Sequence, residues 1–580
     1  MTSDSQELTS NQAESPASHG ISRRTFAATA AAAGVAAAGV QAASAADRRG
    51  LFDRAQIGTP GEPIDYLFPV TEEKVTFRIL VPSSTQIEDF ETNDFTLWME
   101  EKSNVHVEWE VVPQEEMQTS LNVRLAGGDL PDIIMNFTGT ITPALLQLYG
   151  SQGLFIPLND LIEEHATEFK RVVNEYPLIM EAITATDGNI YSIPELNDCF
   201  HCSLPAKLWV YKPWLEKLGK EIPTTPEEYA DLLRAIRDED PNGNGKQDEV
   251  PLTTWVTTTA PAGQFPNYTM NVFQYAPNER LYLKDGTTVT ASFAESGWRD
   301  ALAYYAGLYQ EGLIPPQSFT QDATGILQMG NNTDDVLIGT APALYPGQLM
   351  DIDSIEGGRW TDYIAIPPLK NPDGTQYTPY YPYQPFQISK LVITSACKNP
   401  EVAVKWADTF FNLEMTMRSQ EGNLDEQWRW ATEDEVGIDG QPAIWKRLVS
   451  WDGSQNFCWR QHAPSYRSNT FRLGEATDPA DADHSLEPIL YRETKNNYEP
   501  YKAPAEWAIP PLFFTPEDSE TIADAKSTID AYVNETMALA ITGQLDINAE
   551  WENYLSTLEA MGLPGYLEVY QRTFDLRSKS

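Results

Sequence analysis

Between Asp240 and Glu249 the chain sets oxygen-bearing side chains at alternate positions: Asp240, Asn242, Asn244 and Asp248, with Glu249 directly after. Calcium prefers six to eight hard oxygen ligands, and alternate side chains of a tightly wound loop converge on one point. Counting Asp240 as position 1, Gly245 falls at position 6, where a sharp turn is needed. At position 7 the carbonyl of Lys246 can face the ion while its ammonium points outward. Twelve-residue calcium loops close with a bidentate Glu at position 12, which here is Pro251; Glu249 at position 10 is the available replacement. The expected Ca2+ ligands are therefore Asp240, Asn242, Asn244, Lys246 (backbone), Asp248 and Glu249. A loop that supplies its own ligands closes around the ion, so the expected role is structural rather than catalytic. The plain alternative is a solvated Asn-Gly turn.

The loop needs elements to hold it. Thr225 is the expected N-cap of a helix, with Pro226 first in it and Glu228 completing a capping box. Tyr229, Leu232, Leu233 and Ile236 follow the spacing of one buried helical face. Upstream, Val75, Phe77, Ile79 and Val81 alternate as a strand, as do Val105, Val107, Trp109 and Val111. Helical stretches are expected around 95–102 and 115–126, and Ile133-Ile134-Met135 is a short buried strand. Strands alternating with helices imply parallel βαβ units, whose ligands bind beyond the C-terminal strand ends. Thr515-Pro516-Glu517-Asp518 opens a long helix that stops at Gly543, so the last third is expected to be mainly helical.

A chain of 580 residues is too long for one core and implies two or more lobes. The net charge of −44 argues against nucleic acid, whose phosphates need a basic face. Ser22-Arg23-Arg24-Thr25-Phe26, an Ala/Gly/Val stretch to Val40 and Ala43-Ser44-Ala45 have the layout of a twin-arginine export signal over residues 1–45. A periplasmic, cell-surface or extracellular location is expected. No cysteine precedes Cys199, which leaves no site for lipid attachment at a processed N-terminal Cys. Cys199, Cys202, Cys397 and Cys458 allow three disulfide pairings, and Cys199-Phe-His-Cys202 has the spacing of half a zinc or redox site without a second half.

Six segments together resemble family 1 extracellular solute-binding proteins of sugar ABC importers, in particular the large calcium-containing members related to alginate-binding proteins. They are LAGGDLPDII (125–134), GNIYSIPELNDCFHCS (188–203), LWVYKPWLEKLGKEIPTTPEEY (208–229), DPNGNGKQDEVPLT (240–253), CKNPEVAVKWADTFFNLE (397–414) and ITGQLDINAEWENYLSTLEAMGL (541–563). The resemblance implies an α/β, two-lobed periplasmic-binding-protein clamshell (type II-like) with a helical C-terminal extension. It places residues 46–207 plus 342–410 in lobe 1 and residues 208–341 plus 411–580 in lobe 2, which carries the calcium loop. It implies a monomer that closes on a carbohydrate, an oligosaccharide by size, and hands it to the permease subunits of an ABC importer.

Sugars present apolar C–H faces and hydroxyl edges, so their sites combine aromatic platforms with Asp, Glu, Asn and Arg. Candidates at strand ends or in aromatic loops are Asn136, Phe137, Glu195, Asn197, Asp198, Trp255, Tyr345, Tyr381, Tyr383, Trp459 and Arg460; Tyr380 and Trp451 lie in the same loops. Trp406, in an amphipathic helix, is expected in the core. The competing class is a secreted carbohydrate-active enzyme, a glycoside hydrolase or lyase. Its paired carboxylates cannot be singled out among 84 acids, and neither Gly-x-Ser-x-Gly nor His-Glu-x-x-His occurs.

Overall fold

The alternating run at Val75 forms the first strand, with Phe77, Ile79 and Val81 buried. The computed structural model describes residues 61 and 63–577, except 256–267, 269, 278, 353–357, 450–452 and 479–481. The expected export signal and Trp451 lie outside the described residues. In chain order the strands are β1 (Val75–Pro82), β2 (Val105–Val112), β3 (Ile133–Met135), β4 (Ile193–Asn197), β5 (Leu208–Tyr211), β6 (Val250–Leu252) and β7 (Leu281–Lys284). They continue with β8 (Thr288–Ala291), β9 (Ile338–Pro342), β10 (Tyr363–Ile366), β11 (Phe386–Ile393), β12 (Trp428–Trp430), β13 (Trp445–Arg447) and β14 (Tyr466–Arg467).

Two sheets carry the two lobes. The larger has the order β14-β4-β11-β3-β1-β2, the smaller β10-β5-β9-β6. In the larger sheet only β11 runs against its neighbours. In the smaller, β5 is the reversed strand. The helices Asp94–Ser103 and Met117–Gly127 follow β1 and β2, as the βαβ pattern requires.

Two strands pair outside the residue ranges that the resemblance implies for their lobes. Tyr363–Ile366 joins the smaller sheet through β5, although 342–410 was expected in lobe 1. Tyr466–Arg467 joins the larger sheet through β4, although 411–580 was expected in lobe 2. Both strands are too short for their apolar pattern to name a partner, which long-range backbone hydrogen bonds decide instead. The chain therefore passes between sheets from Asn197 to Leu208, from Ile366 to Phe386, and after the helix Asn469–Leu473 towards the helix Leu486–Asn497. That last helix is tied to the smaller sheet, where Glu493 accepts the Ala365 N–H at 3.0 Å.

The helix Pro226–Asp238 starts where expected. Thr225 Oγ1 accepts the Glu228 N–H at 3.2 Å, and Tyr229, Leu232, Leu233 and Ile236 are buried. Glu228 reaches one residue further out than the capping box predicts, to the N–H and hydroxyl of Thr224, both at 2.8 Å. The helices Pro516–Ile541, Ile547–Ala560 and Leu563–Arg577 share their buried faces with the smaller sheet. Thr515 caps the first of these, and Gly543, at φ +75°, follows its end. Trp406 is fully buried, as expected. Among the described residues, no helix is long and apolar enough to cross a membrane.

Candidate functional site

Because β1, β2, β3, β4 and β14 run parallel, their C-terminal ends lie along one edge of the larger sheet. That edge, beside the crossings to the other sheet, is where an α/β architecture leaves a crevice for ligand. Asn136 follows β3 in the left-handed conformation, at φ +62°, which a short amide side chain tolerates. Asn197 ends β4, with Asp198 next, and Arg467 ends β14.

Charged groups collect behind this edge. Lys390 on β11 pairs with Glu195 at 2.6 Å, and both are essentially buried. The same ammonium donates to Asn136 Oδ1 at 2.9 Å, while Ser465 Oγ donates to Glu195 at 3.0 Å. Burial outweighs the attraction of Glu195 and lowers the Lys390 pKa. Arg472 donates to Asn197 Oδ1 at 2.7 Å and pairs with Glu487 at 3.5 Å. One guanidinium thus ties the end of β4 to the helix Leu486–Asn497. Burial works against ionisation of Glu487, but Arg472, with Arg467 and Arg447, holds its carboxyl below the usual range. Tyr176 donates to Asp198 at 3.2 Å.

The aromatic candidates divide. Tyr381 is 40% exposed, the most open of the aromatic candidates. Its ring centroid lies 5.6 Å from that of Tyr383, whose hydroxyl donates to Glu181 at 2.9 Å. Tyr345 is half-buried after β9 and packs against the smaller sheet's core. Phe137, Trp255, Trp459 and Arg460 are corrected to interior positions. Phe137 packs with Leu80, Ile134 and Leu146, and Trp255 belongs to the smaller sheet's core. Trp459 is fully buried, edge-on to Phe95 and Trp109, with its indole N–H on Thr96 at 2.7 Å. Arg460 is 2% exposed and lies over the Phe457 ring. Large rings in irregular segments were buried because the segments fold back over the sheets, where each ring removes much apolar area from water. Glu195, too, faces the buried Lys390 rather than an open surface. Lys390, Arg467, Arg472 and Glu487 were not expected from sequence; no local motif marks them.

The Asp240–Glu249 loop is tightly wound. Gly243 and Gly245 adopt φ near +80°, and their N–H groups donate to the two Asp240 carboxylate oxygens at 2.9 and 3.0 Å. Asn242 and Asn244 both donate to Asp248, at 2.9 and 3.1 Å. The Asn242 N–H donates to Glu249 Oε1 at 3.2 Å, but Glu249 Oε2 is buried without a hydrogen-bond partner. A buried carboxylate oxygen left unsatisfied is costly unless a cation or donor meets it. The unmet oxygen suits a hard divalent ion by its chemistry, but the Asn242 and Asn244 amide oxygens here accept the N–H groups of Asn244 and Lys246, and the loop's carboxylates do not converge on one point. Asp335, from the segment before β9, accepts from Asn244 at 2.8 Å and adds a carboxylate from outside the loop.

Cys199 and Cys202 form a disulfide, which selects one bond from the pairings left open; Cys397 and Cys458 are free thiols. Cys199, His201 and Cys202 are, among the described residues, the one group of three close enough to hold a metal through such side chains. With the sulfurs bonded to each other, neither offers a thiolate for zinc.

The bacterial extracellular solute-binding protein family model matches residues 83–416, more than half of the chain. The chain belongs to that family. A curated relative, the fructooligosaccharide ABC transporter substrate-binding protein FusA of Streptococcus pneumoniae, is 26% identical over 88% of this chain and 91% of its own length. A solved structure of FusA with kestose superposes with a TM-score of 0.69 at 23% identity, covering 87% of this chain and 99% of that one. Another FusA structure, of an EF-hand mutant with fructo-nystose, gives 0.68 at 23% identity over the same shares. An HMO-binding, ABC-transporter-associated solute-binding protein from Bifidobacterium longum infantis gives 0.71 at 19% identity, over 87% and 99% of the two chains. The alginate-binding protein AlgQ2, solved without calcium ion, gives 0.60 at 23% identity, over 87% and 99%. Two lobes of mixed α/β structure are thus the fold of this solute-binding protein.

Proposed function

We propose that this solute-binding protein captures an oligosaccharide outside the cytoplasm and delivers it to the permease subunits of an ABC importer. The observation that carries the proposal is the polar edge at Asn136, Asn197, Asp198 and Arg467, placed where the chain crosses between sheets. Tyr381, open to water and paired with Tyr383, is the kind of platform a sugar ring stacks on. The similarity to FusA supports a carbohydrate over an amino acid or peptide.

Capture works by differential affinity. A ligand that touches groups from both lobes favours the closed arrangement by the contacts that only closure provides. Calcium at Asp240–Glu249 is structural in this reading. Its ligands would be Asp240, Asn242, Asn244, Asp248, Glu249 and the Lys246 carbonyl, and when bound the ion neutralises the carboxylates that crowd the loop. It would fix the passage from the helix Pro226–Asp238 into β6 and leave ligand chemistry alone. Export through the twin-arginine route and function as a monomer complete the proposal.

A panel of neutral and acidic oligosaccharides, scored by melting temperature with product analysis, tests the function. Binding raises the melting temperature and returns the glycan intact. Cleaved product would instead support a carbohydrate-active enzyme, and no shift with any glycan would refute carbohydrate capture.

A further inference from the structure

Arg467 stands apart from every other cation at the sheet edge. Lys390 is paired with Glu195, Arg472 with Glu487, and Arg447 with both Glu475, at 2.9 Å, and Glu421. The Arg467 side chain is 8% exposed, has no ion-pair partner among the described residues, and its Nη1 is sealed from solvent without a hydrogen-bond acceptor. Guanidinium carries five N–H donors and does not give up its proton at physiological pH. Burial lowers its pKa to about 10, with Arg472 adding to the effect, so the charge remains at neutral pH. Glu195, Glu421 and Glu487 attract the charge without hydrogen-bonding Nη1, and a buried donor left without an acceptor is unfavourable to folding. Such a residue persists where a ligand supplies the missing acceptors.

Its position suits that role. Arg467 ends β14, and its carbonyl accepts the Asp198 N–H at 2.8 Å, on the same edge as Asn197. The surrounding charges indicate which acceptor fits. Around Arg467 the charges are already matched: Arg472 repels it, while Glu195, Glu421 and Glu487, which pair with Lys390, Arg447 and Arg472, attract it. An incoming carboxylate would bring a further charge into this buried cluster, whereas hydroxyl oxygens satisfy the donors without adding charge.

We infer that Arg467 is a ligand-contacting, specificity-determining donor, held ready for the hydroxyl oxygens of an uncharged sugar. This rests on the carbohydrate reading above and specifies its substrate class. Two variants test it, Arg467→Met, which keeps an unbranched stem without the donors, and Arg467→Lys, which keeps the charge without the fork. Calorimetric titration with kestose and with a galacturonic acid trisaccharide, and the melting temperature without ligand, are measured for each.

Wild type should bind the neutral trisaccharide at least about tenfold more tightly than the acidic one. Arg467→Met should lose at least about tenfold in neutral-sugar affinity and melt, ligand-free, no lower than wild type. Arg467→Lys should fall between them. Unchanged affinity in Arg467→Met overturns the inference while carbohydrate capture stands. A lower ligand-free melting temperature in Arg467→Met overturns it in favour of a packing role. Tighter wild-type binding of the acidic trisaccharide overturns the charge argument. Failure of wild type to bind any glycan overturns the inference together with the function it rests on.

Discussion

The Asp240–Glu249 loop and the C-terminal edge of the larger sheet both gather charged and amide side chains, but they satisfy them differently. Asp240 takes the N–H groups of Gly243 and Gly245, and Asn242 and Asn244 converge on Asp248, all within ten residues. At the sheet edge, Glu195 meets Lys390 and Asn197 meets Arg472, partners separated by 195 and 275 residues. The loop is nearly complete by itself, with one buried oxygen of Glu249 left over. The edge is complete only after the whole lobe has folded, and there the Arg467 guanidinium is among the unsatisfied groups. Local chain geometry can gather oxygen-bearing side chains into one loop; a cluster with buried groups of both signs needs tertiary structure to assemble it.

The largest effect should separate the two regions directly. Glu195→Gln removes one member of a buried pair and should cost about 3–5 kcal/mol in urea unfolding. The double change Glu195→Leu with Lys390→Met should recover much of that loss, because neither charge is then stranded. If Glu195→Gln unfolds like wild type, the edge does not depend on its long-range pairing.

Chelation probes the loop. With free Ca2+ at a hundred times its Kd, bound ion should contribute about 2.7 kcal/mol, and a chelator should lower the melting temperature accordingly. Glu249→Gln should weaken that response. Melting that is indifferent to chelator and to added Ca2+ would remove calcium from the account.

Acid should act on the sheet-edge lobe. Burial lowers the pKa of His201 to about 3 and of His462 to about 4, below the ordinary imidazole value of 6.5. The folded state therefore binds fewer protons than the unfolded one between those values. Stability from this source is complete above pH 6.5 and declines as pH falls through it, by at most about 1.4 kcal/mol per pH unit per group. His201→Gln should flatten the decline measured by urea unfolding at pH 6.5 and 5.0; an unchanged slope would mean that His201 takes up its proton as readily when folded.

The smallest expected effect concerns the exposed aromatic loop. Tyr381→Ala should leave the ligand-free melting temperature within about 1 °C, since surface changes rarely exceed about 0.5 kcal/mol. It should weaken oligosaccharide binding by about 1 kcal/mol through lost stacking. Equal affinity in calorimetric titration would remove Tyr381 from the site.

The sequence carried what is written in short-range pattern. Alternation at Val75–Val81 and Val105–Val111, the Thr225 and Thr515 caps, and the spacing from Asp240 to Glu249 each depend on residues within a turn or two of one another. Physical constraints of that range, 3.6-residue and two-residue periodicity and the φ of a glycine, act on the chain before it folds. Asp335 beside the loop, the bond between Cys199 and Cys202, the sheets chosen by β10 and β14, and the burial of Phe137, Trp255 and Trp459 carry no such mark. A tryptophan in a loop has the same sequence signature whether it faces a ligand or a core. Which of these it faces, and which glutamate meets which lysine, follows from how the sheets bring distant segments within a few ångströms, and tertiary structure alone decided that.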